Sequence, residues 1–157
     1  MKTIQLTFGA LVLMASSLIA QTKWGVDASH SKLGFKVTHM MVSETEGKFK
    51  VYAAPVTSKT DADFTDAEVN FAVDVNSIDT DDDQRDVHLK SADFFDAEKF
   101  PKMTFKSTSM KKGKAKGQYI LTGDLTIKDV TKKVTFMATT NGKIVKDPWG
   151  KTRTGFN

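Results

Sequence analysis

Residues 85–105 read RDVHLKSADFFDAEKFPKMTF, and how this stretch is taken decides the fold. Arg85, Asp86 and His88 fall within one helical turn, and Phe94, Phe95, Phe100 and Phe105 follow close behind, interrupted by the helix-stopping Pro101. Such a segment is too polar for a core strand and too aromatic for an idle loop. It reads as a short helix and an aromatic plug set against one mouth of a β-rich body. Upstream, Thr80 with Asp83 resembles a capping box, and Asp81 and Asp82 suit the positive end of the helix dipole, so a helix is expected over 81–89.

The flanks on both sides alternate with period two, the mark of half-buried strands. Leu33, Phe35 and Val37 alternate with lysine, glycine and threonine, and Phe49, Val51 and Ala53 do so up to Pro55. Val69, Phe71, Val73 and Val75 form a third such face. Residues 39–46 lack a clear period and are expected to form a turn or short helix. Beyond the plug, strands are expected from Met103, over 118–127 and over 132–140. Asn141-Gly142 is the strongest hairpin signal, leading to short strands at 143–146 and 151–156. Seven or eight short strands with hairpin-length turns argue an all-β antiparallel sandwich or barrel with one or two short helices. Phe35, Phe49, Phe71, Phe105 and Phe136 are spread one per strand, which suits a closed, phenylalanine-lined lumen. Periodicity alone leaves the sandwich open.

Composition narrows the function. The chain has 157 residues, 39% hydrophobic and 27% charged, as expected of one soluble domain. Residues 1–20 carry Lys2, an apolar run and small residues at the end, the pattern of a cleaved secretory signal peptide. That leaves residues 21–157 as the domain and a periplasmic or secreted location. There is no cysteine, so disulfides, thiol nucleophiles and thiolate metal sites are excluded. The net charge of +4 is dispersed among acidic and hydroxyl residues, which does not make a nucleic-acid footprint.

Several motifs then run in order along the chain: Trp24-x-x-Asp27-x-x-His30-Ser31, Phe35-x-Val37-x-His39, Gly47-x-Phe49, Ser77-Ile78-x-Thr80, Arg85-Asp86-x-His88-Leu89-x-Ser91-x-x-Phe94-Phe95-Asp96, Phe100-Pro101 with Phe105, and Gly123-x-Leu125-Thr126-Ile127 with Val130-Thr131. Together they resemble the YceI-like family of exported lipid-binding proteins. The resemblance implies an eight-stranded, lipocalin-like antiparallel barrel that holds a polyisoprenoid, an isoprenoid quinone or a fatty-acid-like lipid in its lumen, without cofactor or metal and without chemistry done on the lipid. Family members continue beyond the Gly155-Phe156 position with closing strands, so the expectation is a C-terminally incomplete barrel or two copies paired edge to edge as a homodimer.

Catalytic readings find little support. His30 and Ser31 are sequence neighbours that an extended strand would point to opposite faces. His30, His39 and His88 have no helical metal-site spacing. The expected lumen residues are Phe35, Val37, Phe49, Val51, Phe71, Val73, Phe105, Leu121 and Phe136. Phe94, Phe95 and Phe100 form the lid or mouth, and His39, Arg85 and His88 are the head-group candidates. For Arg85 the alternative is a structural ion pair, and for the barrel as a whole it is a side-chain-filled interior whose outer surface binds a partner.

Overall fold

The computed structural model describes residues 21–140 and 142–157; the expected signal peptide and Asn141 lie outside them. Twelve strands follow in chain order: β1 Thr22–Trp24, β2 Leu33–His39, β3 Ser43–Phe49, β4 Tyr52–Ala53, β5 Val56–Ser58, β6 Glu68–Asp74, β7 Ile78–Asp79, β8 Lys102–Lys112, β9 Gln118–Ile127, β10 Val130–Thr139, β11 Val145–Lys146 and β12 Thr152–Arg153. A 3-10 turn, Val75–Ser77, joins β6 to β7, and the helix α1 spans Asp83–Lys90.

All pairings are antiparallel. β3, β4 and β5 succeed one another along the same edge of β6 and β7, so they act as one strand broken before Tyr52 and at Pro55. On its far side stand β2 and β1, and on the other side β6 is followed by β8, β9 and β10 in a simple meander. The result is the up-and-down wall of an antiparallel barrel. Cross-strand partners share a face, which sets Phe71, Phe105 and Leu125 in one inward row. The opposite face carries the row of Lys106, Asp124 and Lys133.

Two clusters fill the inner side. One gathers Phe64, Val69, Phe105, Met110, Tyr119 and Leu121, and the other Phe49, Val73, Val75, Ile78, Ala97 and Met103. Leu89 and Phe95 pack on the second cluster, so α1 and the aromatic plug cover that end of the wall. The Lys128 ammonium in the β9–β10 turn donates to the carbonyl oxygen of Phe94 at 2.9 Å and ties the plug down.

The structure revises several expectations. Residues 39–46 are not a helix: β2 and β3 form a hairpin with His39 opposite Ser43, its tip carrying Met40 and Met41 in the left-handed region. The period-two signal there is the outward row of Glu44, Glu46 and Lys48, which charge rather than hydrophobicity reveals. Asp82, not Thr80, caps α1 by accepting the Arg85 N–H at 3.0 Å. Val51 is not an inner residue. The Val51 N–H donates to Ser77 Oγ at 3.0 Å, the strand phase slips by one, and Tyr52 pairs with Val73 while Val51 stands 58% exposed. The strand expected over 151–156 shrinks to β12, and β11 pairs with β12 rather than returning along β10. Phe156 instead bridges Thr140, and its ring stands edge-on to Phe64 at 4.7 Å.

Candidate functional site

The inner face carries two runs of aromatic rings. Phe35 and Phe49 lie 5.7 Å apart, Phe49 meets Phe95 at 6.2 Å, and Phe105 stands between Phe71 at 5.7 Å and Phe136 at 5.5 Å. Two glycines make room for these rings. A Cβ on Gly47 would sit 2.3 Å from Phe35 Cζ, and one on Gly123 would sit 2.5 Å from Phe105 Cζ. Both glycines therefore serve as seats for a ring that crosses the strand. Leu125, Val134 and Ala138 join the same face, and sequence alternation alone would have found them.

Phe49, Val73, Phe105 and Leu121 are buried, and Phe35 and Phe71 half-buried. Phe136 remains 44% exposed, because β10, paired with β9 along one edge, has no second strand partner from Val130 to Ala138 among the described residues. The inner face is thus a trough open on its β10 side. Val37 shares the face of Phe35 but projects past the end of β7, where it stands 53% exposed.

Of the three mouth aromatics, only Phe95 joins the inner cluster. Phe94 is 48% exposed and stands edge-on to the His88 ring at 4.9 Å, and Phe100 lies under the Lys99 ammonium at 5.1 Å. No hydrogen bond or ion pair joins His39, Arg85 and His88 to one another among the described residues: His39 ends β2, and His88 faces Asp93 at 3.6 Å.

Arg85 is occupied by the protein itself. Its Nε donates to Thr80 Oγ1 at 2.8 Å and its Nη2 to the Thr80 carbonyl at 2.7 Å. The buried Asp86 carboxylate accepts the Thr80 N–H at 2.9 Å and hydroxyl at 2.7 Å. This closed network anchors the start of α1 to β7, which accounts for Thr80, Arg85 and Asp86 as a set. The exposed Asp82 carboxylate, 3.7 Å from Arg85, adds little. Arg85→Gln is therefore expected to cost about 1–2 kcal/mol of stability and to weaken a charged and an uncharged lipid alike. A selective loss for the charged lipid at unchanged melting temperature would refute the structural assignment.

At the N-terminal end of the described chain, Arg153 joins Asp27 to Asp147, its Nε donating to Asp147 at 2.7 Å and its Nη1 to Asp27, and so pins β12 to the segment before β2. His30 lies in a turn, where its Nδ1 meets both Asp27 at 2.9 Å and Ser29 at 3.0 Å. A Ser-His-Asp relay needs serine and carboxylate on opposite ring nitrogens, so this exposed group has the wrong geometry for one. Hydrogen bonds from Ser29 and His30, with the Arg153 charge, hold Asp27 well below the usual carboxylate range.

Two other carboxylates are stabilised in their charged forms. The Asp81 N–H, then Lys50 and Lys48, push Asp79 down to about 2, and the Thr65 N–H and hydroxyl, then Lys112, push Asp63 down to about 2. Each folded-state value lies below the ordinary 3.8, so the contribution is complete above that pH and is lost as pH falls towards 2. Urea midpoints are expected to be flat from pH 7 to 5 and to drop steeply below 4. A midpoint unchanged at pH 2.5 would show these bonds to be inert.

An antiparallel up-and-down wall with an apolar inner face, capped at one end by a helix and plug, defines a lipocalin-like β-barrel protein. More specifically, the YceI-like domain matches residues 24–157, and the chain belongs to the YceI-like family. A UPF0312 protein of Photorhabdus laumondii is 41% identical over 152 residues, covering 96% of this chain and 77% of that protein. The crystal structure of the Campylobacter jejuni YceI protein superposes with a TM-score of 0.64 at 32% identity, over 85% of this chain and 76% of that one. A polyisoprenoid-binding domain from Saccharophagus degradans shares the fold, with a TM-score of 0.51 at 16% identity over 78% of this chain and 67% of that one.

Proposed function

We propose that this protein is an exported binding module, not an enzyme, that holds a polyisoprenoid or similar long-chain amphiphile along its inner face for transport, storage or sequestration. The observation that carries the proposal is the pair of aromatic runs on the inner face, one of them ending in a partly exposed Phe136. Burial of a hydrocarbon tail against such a surface stabilises a complex by about 25 cal/mol per Å², with few polar contacts needed. The shared fold with the Saccharophagus degradans polyisoprenoid-binding domain supports the class of ligand. Native mass spectrometry of protein purified without added lipid tests it: an apolar adduct released by organic solvent is expected, and a bare mass that takes up no added prenyl lipid would refute it. A filled interior with an outer binding surface is the second reading. It is favoured by Phe105, which the protein's own side chains leave only 2% exposed, and predicts the bare mass.

A further inference from the structure

On the inner face of the strands, the two lysines are treated differently by the fold. Lys112, opposite the buried Tyr119 at the end away from α1, has its ammonium 3.0 Å from Asp63. Lys132 is opposite Leu125, whose side chain packs on the Phe105 cluster. Its neighbours in the strand mark the two sides of β10. Val134 packs on the same inner cluster, whereas Lys133 pairs with Asp124 at 3.4 Å, and the Thr131 hydroxyl meets that of Thr126 at 2.8 Å on the other face. Lys132 therefore emerges among apolar residues, and among the described residues its side chain makes no hydrogen bond or ion pair.

Its position along the strand matters as much as its face. Lys132 forms the third cross-strand pair from the Lys128–Asp129 turn, the turn that Lys128 clips to the plug. The cation thus stands at the plug end of the trough, where a tail lying on Phe105 and Phe136 would present its head. Arg85 cannot serve there while its guanidinium is held by Thr80.

We propose that Lys132 is the head-group contact of the trough, its ammonium holding the phosphate-type anionic head of a prenyl lipid whose tail runs along Phe105 and Phe136. This rests on the lipid-holding reading above and specifies the class of lipid. An ammonium is a compact, strongly hydrated charge suited to phosphate oxygens, and its carbon stem can lie on apolar surface while the charge reaches the mouth.

The test titrates lipid-stripped protein with a prenyl diphosphate, with the prenyl alcohol of the same tail, and with inorganic diphosphate. Lys132→Met is expected to weaken the prenyl diphosphate about tenfold or more, the scale of one charge-assisted contact, and to leave the alcohol unchanged. Lys132→Arg should retain most of the affinity, and Lys106→Met, on the outward face, should behave as the unaltered protein. Inorganic diphosphate should fail to compete at concentrations that saturate the prenyl diphosphate. If the unaltered protein binds the alcohol and Lys132→Met affects neither prenyl ligand, or both equally, the head-group assignment is overturned while lipid holding stands. Competition by inorganic diphosphate as effective as by the prenyl form would also overturn it. If the unaltered protein binds neither prenyl ligand, the lipid-holding reading falls and the assignment with it.

Discussion

Val73→Asp is expected to unfold the protein or to abolish lipid uptake. Val73 is 6% exposed, and it is flanked across the strands by Tyr52 and Met103 and packed with Phe49, Val75 and Ile78. A carboxylate there loses its hydration and gains no described partner, so it must take up a proton or expel itself from the cluster. Together with the lost valine burial, the cost is about 4 kcal/mol or more, a large part of the 5–15 kcal/mol typical of a whole domain. Urea unfolding followed by Trp fluorescence measures the effect. A variant with the midpoint of the unaltered protein and full lipid uptake would show that Val73 does not face inward.

The second large effect is expected at a glycine. In Gly123→Ala the new methyl group would stand 2.4 Å from the Lys106 carbonyl oxygen and 2.5 Å from Phe105 Cζ. Neither neighbour can give way easily: the carbonyl belongs to the paired strand β8, and the Phe105 ring is held between Phe71 and Phe136. Overpacking of this kind costs about 1–3 kcal/mol, and here the upper end is expected because backbone and ring are both met. Gly25→Ala supplies the contrast, since nothing lies within 4 Å of its added Cβ, and it should leave the midpoint unchanged. Equal midpoints for the two variants would mean that Phe105 does not lie over Gly123. The same comparison bears on lipid uptake, because displacing Phe105 disturbs the centre of the proposed tail path.

Local pattern was sufficient for much of this protein. The alternation in 33–37 and 69–75 placed the strands there, because a half-buried strand must put every second side chain in the core. The ordered motifs carried the family, and the fold class followed. The charge pattern around 81–90 located α1 to within two residues at its start, since helix ends are specified by a few nearby side chains. What local pattern could not decide was which face a strand presents once its phase slips. The hydrophobic pattern Phe49, Val51, Ala53 is regular, yet Ser77, remote in sequence, captures the Val51 N–H and turns Tyr52 inward in its place. Likewise Arg85 was open to two roles until the fold brought Thr80 beneath its guanidinium, and Gly123 was one glycine among ten until Phe105 lay across it. Lys132 carried no local signal at all. Its significance comes from the register that sets it opposite Leu125, and register is a property of two paired strands, which neither strand's own sequence contains.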